Sequence, residues 1–302
     1  MNLPFRLVEN LRTPGYLPFY LGLHGGFWAR EGLDVQIITA PATAETPRLL
    51  LAGQADAAWG GPMRVMMHHD ADPACPLVCF AQAVARDPFM LVGRRPHPGF
   101  RFADLAGLRV GVATDVPTPW MTFQDDLRRA NFDPATLIRA PDLPMAENAA
   151  AFAAGAMDVV QLFEPYADQL VQSGIGHVWH RFSDRGDIGY TTLVATRVTL
   201  SESRPALIRL VRGLAAAQEA LAKASGAELA EALSGFFPTQ PREQLERIAL
   251  AYRAAGLWAR TPDLPPSAFV RLKAALLSGG LIARDIPYDA AVDAALSSRH
   301  PC

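Results

Sequence analysis

Leu51-Ala52-Gly53-Gln54-Ala55-Asp56, followed by Ala57, Ala58, Trp59 and then Pro62, has a counterpart in Ala153-Ala154-Gly155-Ala156-Met157-Asp158, followed by Val159, Val160 and then Pro165. Each stretch reads as the last turn of a helix, a glycine that ends it, an aspartate at the mouth of a strand, a short strand, and a proline opening the next helix. Any αβα unit uses Gly and Pro in this way. Two copies of the whole step predict two lobes built on one plan.

The flanking sequence extends the pattern. Phe5–Glu9 and Leu33–Ile38 alternate as strands, with the apolar helix Leu17–Leu23 between them. Leu77–Val84 is continuously apolar, as a strand buried in a parallel sheet should be. The order then restarts: strands at Phe89–Gly93 and Leu108–Ala113, a helix opened by Pro117 or Pro119, a helix over Ala146–Gly155, and strands at Val159–Phe163 and Val178–Phe182. From Arg204 onward only helices are expected. Strands alternating with helices give an α/β class.

The chain has 302 residues, half of them hydrophobic, and a formal net charge of −2. That is enough for a large core, and it supplies no basic field for a nucleic acid. Cys75, Cys79 and Cys302 are too few and odd in number for a disulfide framework, and no His or Cys cluster completes a metal site. No segment has the ~18 apolar residues of a membrane span. The first strand starts at Phe5, so the chain as written reads as cytoplasmic; with a leader upstream it reads as periplasmic.

Four segments resemble the substrate-binding proteins of ABC transporters with the type II periplasmic-binding fold, in the group that binds aliphatic sulfonates, nitrate and pyrimidine precursors of thiamine. They are Pro18–Gly22 through Gly26–Val35, Leu51–Trp59, Phe102–Val112 with its Asp104-Leu105-Ala106-Gly107 step, and Ala154-Gly155 through Asp158 to Glu164-Pro165-Tyr166. The resemblance implies two lobes joined by a hinge, with a helical C-terminal part. Lobe one would hold residues 1–84 plus 191–302 and lobe two residues 85–190, with crossings near Gln82–Pro88 and Asp187–Thr192. It also implies a small-molecule ligand between the lobes, an ABC permease as partner and no cofactor. The Cys-rich motif of the yeast-type pyrimidine synthase, which shares this fold, is missing.

In open α/β sheets ligands sit beyond the carboxyl ends of strands, at loops feeding helix starts. That rule selects Thr13 and Tyr16 after the first strand, Trp59, Gly60 and Gly61 after the third, Asp115, Thr118 and Trp120 after the strand ending near Val112, and Glu164 after Val160; the crossings add Asp87 and Tyr190. Trp59 and Trp120 read equally as cleft rings for a planar ligand or as core. The helix starts at Pro62 and Thr118 suit a carboxylate or sulfonate. Glu164 reads as a ligand contact or as a cap for the following helix. No nucleophile elbow, zinc-protease, P-loop or dinucleotide signature is present, so no catalytic residue is assigned. A solute-binding protein is therefore the first reading. A cytoplasmic enzyme on the same fold, of decarboxylase or biosynthetic lyase type, is the second, with His177 and His180 as its nearest candidates for a general base.

Overall fold

The computed structural model describes residues 2–297. Cys302 and His300 lie outside the described residues. The chain begins with β1 (Leu3–Glu9), α1 (Leu17–His24), α2 (Phe27–Arg30), β2 (Leu33–Thr39), α3 (Thr46–Leu51), β3 (Ala57–Gly60), α4 (Pro62–Ala71) and β4 (Leu77–Val84). It continues with β5 (Met90–Gly93), β6 (Arg109–Gly111), α5 (Thr118–Arg129), β7 (Ile138–Arg139), α6 (Met145–Ala153), β8 (Val159–Leu162), α7 (Tyr166–Gln172) and β9 (His177–Arg181). The rest is β10 (Thr191–Thr196), α8 (Arg197–Glu202), α9 (Arg204–Lys223), α10 (Gly226–Ser234), α11 (Arg242–Ala254), α12 (Pro266–Ser278) and α13 (Tyr288–Ala291).

Two compact units result. The first takes the residues up to Arg86, Gly186–Lys273 and those from Ile282; the second takes Asp87–Arg185 and Ala274–Leu281. The chain leaves the first unit after Arg86 and returns to it at Gly186. The return lies just before the Asp187–Thr192 stretch because Phe182–Arg185 is a 3-10 turn whose Arg185 is ion-paired to Asp87 and Asp126, all within the second unit. Ala274–Leu281, expected with the first lobe, groups with the second unit.

Each unit has one five-stranded sheet, in the orders β2-β1-β3-β10-β4 and β7-β6-β8-β5-β9. The first three strands of each run parallel, and the fourth, β10 or β5, is antiparallel to both its neighbours. In both sheets that antiparallel strand is the first one the chain makes after passing from the other unit. The sequence does not mark it, because a strand buried on both faces reads the same in either direction. β4 also departs from expectation. It is buried along its whole length, yet it is the outer strand of its sheet. Its free edge is covered by the C-terminal part of the chain: Val84 bridges Trp258, Cys79 bridges Val292, and Gln82 N–H donates to the Pro262 carbonyl at 2.6 Å. An edge so covered can carry apolar residues without inviting another strand.

The repeated step has one geometry in both units. Gly53 and Gly155 hold φ of +65° and +88°, where a Cβ is strained, so each ends its helix cleanly. The next aspartate then ties two parallel strands together. Asp56 accepts from the Arg6 N–H at 2.7 Å, and Asp158 from the Arg109 N–H at 2.8 Å. The return bonds, Asp56 N–H to the Arg6 carbonyl and Asp158 N–H to the Arg109 carbonyl, are 3.0 and 2.9 Å. A carboxylate is required there because the first N–H of β1 or β6 at that level has no ladder partner of its own.

Candidate functional site

In the first unit β1 and β3 end side by side, with Glu9 in register with Trp59. Glu9 is fully buried. Its carboxylate accepts from Arg12 Nε at 2.9 Å, Thr39 Oγ1 at 2.6 Å and the Tyr20 hydroxyl at 3.1 Å. A buried carboxylate is tolerable only with such partners. The network fixes the loop after β1, where Thr13 accepts from the Gly15 N–H and opens the Pro14–Tyr16 turn. Burial, and then the Glu9 charge, push the Tyr20 hydroxyl well above its usual pKa. Burial pushes Tyr16 up as well.

Trp59 is wholly buried in an aromatic box. Phe19 stacks on it at 4.4 Å with planes 8° apart, and Tyr16 and Tyr20 meet it edge-on. One face is therefore already taken. Beside it Gly60, Gly61 and Arg64 line a cavity of about 20 Å³ together with Asn10, Thr46 and the aliphatic side chains of α3 and α4. Trp59 Nε1 and Thr46 Oγ1, both buried, have no hydrogen-bond partner among the described residues. Arg64 Nη2 donates to Thr43 Oγ1 at 2.6 Å. Tyr190 lies in this unit, buried, one residue before β10.

The second unit uses its predicted residues differently. Asp87 is fully buried, and its carboxylate accepts from Phe89 N–H, Thr122 Oγ1 and Arg185 Nη1 at 2.9, 3.1 and 2.8 Å. Burial pushes its pKa up while Arg185 opposes that shift. Asp115, exposed, accepts from the Met145 N–H at 3.0 Å at the start of α6. Thr118, buried, opens α5, and its carbonyl takes the Thr122 hydroxyl. Trp120 packs edge-on against Phe123, with the Arg139 guanidinium 4.6 Å from its ring centre. Glu164, one residue ahead of the Pro165 N-cap, accepts from the Asp168 N–H at 2.7 Å in the first turn of α7. Gln161, which the sequence did not single out, joins two loops by accepting from Ala113 N–H and donating to the Pro119 carbonyl.

His180 lies among Phe102, Phe182 and Phe100, at 4.9, 5.0 and 6.2 Å between ring centres. Burial lowers its pKa to about 4. The unfolded chain therefore binds a proton below about pH 6.5 that the folded chain refuses until about pH 4. Stability is lost as pH falls through that window, by up to roughly 3 kcal/mol. Urea denaturation at pH 7 and pH 4.5 should show a smaller loss for His180→Phe than for the parent. Equal losses would show that His180 does not govern the drop.

The sequence missed Glu9, Thr46 and Arg64. A buried Glu at a strand end gives no sequence signal. Arg64 does: it stands in the first turn of α4, which holds no acidic residue, and a cation is disfavoured at that end of a helix dipole.

Comparison with known proteins places these features in a family. The model of the NMT1-like family matches residues 12–234. The putative binding protein YtlA of Bacillus subtilis is 26% identical over 296 residues, covering 97% of this chain and 89% of that protein. Among solved structures, the periplasmic aliphatic sulphonate binding protein SsuA of Escherichia coli superposes with a TM-score of 0.77 at 16% identity, over 96% of this chain and 97% of that one. The desulfurization enzyme DSZB superposes with a TM-score of 0.68 at 14% identity, over 97% of each chain. These likenesses establish the periplasmic-binding-protein fold. Among the described residues no helix is long and apolar enough to cross a membrane.

Proposed function

The chain belongs to the NMT1-like family, and on that premise we propose that it is the solute-binding component of an ABC importer for a small organic molecule. The ligand class we assign is a sulfonate, a pyrimidine or a related aromatic or heterocyclic compound, delivered to an ABC permease. The observation that carries this reading is the family match over residues 12–234, beside an apolar cavity at the end of β3 lined by Trp59, Gly60 and Gly61. The likeness to a putative binding protein over nearly the whole chain supports the same reading.

The site residues divide within this proposal. Trp59, Gly60 and Gly61 line the cavity, and Thr13 and Tyr16 shape the loop beside it. Asp87, Asp115 and Glu164 spend hydrogen bonds on holding loops of the second unit. Trp120, half-buried at the start of α5, is that unit's ring for a planar ligand, with Thr118 and Tyr190 supporting their loops. Thermal-shift screening against sulfonates, pyrimidines and aromatic heterocycles tests the assignment. One class should raise the unfolding midpoint with concentration, as a ligand of the native state must, and calorimetry should give one site per chain. A screen in which no solute of these classes shifts the midpoint would overturn the ligand class.

The enzyme reading keeps one support, the fold shared with the desulfurization enzyme. His180, its nearest candidate for a base, is enclosed by phenylalanines and holds a proton only below about pH 4.

A further inference from the structure

An edge strand presents a row of backbone N–H and C=O groups to any strand that can reach it, so folded chains ordinarily blunt their edges. Of the four edges of the two sheets, three are blunted, each in its own way. β4 is covered by the C-terminal part of the chain. β7 is only two residues long. β9 slips register against β5 between Leu91 and Val92, and such a bulge twists an edge out of line. β2 has none of these protections. It runs seven residues in unbroken register with β1 and contains no Lys, Arg or Pro.

The ladder to β1 shows which groups β2 leaves open. Ala40 N–H donates to the Glu9 carbonyl, and Leu3 N–H to the Gly32 carbonyl. Backbone direction alternates along a strand, so Asp34, Gln36 and Ile38 turn their N–H and C=O groups to β1. Leu33, Val35, Ile37 and Thr39 turn theirs outward, and among the described residues no hydrogen bond or bridge reaches those groups. The side chains of Asp34, Gln36 and Ile38 are exposed, Ile38 at 37%.

We propose that β2 is a self-pairing edge: two copies of this chain join through it, antiparallel, about a two-fold axis at Gln36, and their sheets become one. The residues suit that register. Val35 stands opposite Ile37 and Leu33 opposite Thr39, so every outward residue meets an outward residue of the other copy. Gln36 meets its own counterpart, where side chains come closest and two amides pair. Asp34 faces Ile38 and stays clear of the other copy's carboxylate. Two-fold registers centred on Val35 or Ile37 would leave Thr39 or Leu33 unmatched. A second copy is the occupant this symmetry specifies, through an isologous contact that closes on itself.

Sedimentation velocity of the full chain, from low to high micromolar concentration, should show a species of twice the chain mass that grows with concentration. Hydrogen exchange in Leu33–Thr39 should slow as it forms. Gln36→Glu and Gln36→Lys each set like charges on the axis, and each should weaken pairing by roughly fivefold at low salt. Mixed together, these two variants should pair more tightly than either does alone. Ile38→Lys, which sets an ammonium opposite Asp34 of the other copy, should tighten the dimer. These side chains are exposed, and unchanged unfolding midpoints separate the effects from misfolding. A chain that stays monomeric throughout overturns the inference. So does a dimer that ignores charge at Gln36, or one whose β2 exchanges as fast as in the monomer, since its contact then lies elsewhere. None of these outcomes bears on solute binding, which the thermal-shift screen judges separately.

Discussion

Replacing Arg185 with Leu should cost the folded protein about 3–5 kcal/mol at neutral pH. The guanidinium stands between two carboxylates, Asp87 with no side-chain exposure and Asp126 with 14%. Without it both remain buried with no counter-charge. Leu also fills less of the space over Phe182, whose ring lies 5.0 Å from the guanidinium. The pH dependence identifies the cause. Burial already pushes Asp87 and Asp126 up, and Arg185 holds them down. In Arg185→Leu both pKa values rise further, so each carboxyl takes a proton in the folded state at a pH where the unfolded chain does not. The deficit of the variant should therefore shrink as pH falls from 7 to 5. Urea titrations at both pH values, read by circular dichroism, measure it. A loss under 1 kcal/mol, or one that does not depend on pH, would mean that the cluster carries no buried charge.

Trp59→Ala should be comparably severe, at about 3–5 kcal/mol, because it empties a fully buried site. Phe19 loses its stacked partner, and Tyr16 and Tyr20 lose the edge contacts that hold the loop after β1. Trp59→Phe keeps most of the packing and should cost about 1–2 kcal/mol, while still deleting the Nε1 donor. The pair separates two roles that one residue holds. If Trp59→Phe melts near the parent and binds the solute found by thermal-shift screening more weakly, the indole N–H serves the ligand. A Trp59→Ala that melts like the parent would contradict the packing account.

The sequence made the repeated step legible because each part of it has one physical job. A glycine at positive φ ends the helix, an aspartate pairs with a strand N–H, and a proline starts the next helix. Those jobs depend on near neighbours, so they show in local sequence. The antiparallel β10 and β5 were not legible, since the direction of a buried strand leaves no trace in its sequence. Nor was the covered edge of β4, which depends on residues far along the chain such as Trp258 and Val292. Trp59, Gly60 and Gly61 could be placed from the sequence at the carboxyl end of a strand, and there they line a cavity. Glu164 reads both ways because ligand contact and helix cap want the same carboxylate; in the structure it takes the Asp168 N–H at 2.7 Å. Arg64 passed unnoticed because a lone arginine on a helix is ordinarily solvated.

The central claim is that the protein holds a solute without changing it. The most direct measurement is to incubate the protein with the best-binding solute of the thermal-shift screen for many hours, release it by denaturation, and weigh it by mass spectrometry. The account predicts one molecule per chain, recovered at its original mass and in full. Recovery of a lighter or cleaved product, accumulating with time and absent from a protein-free control, would contradict it and make the protein an enzyme.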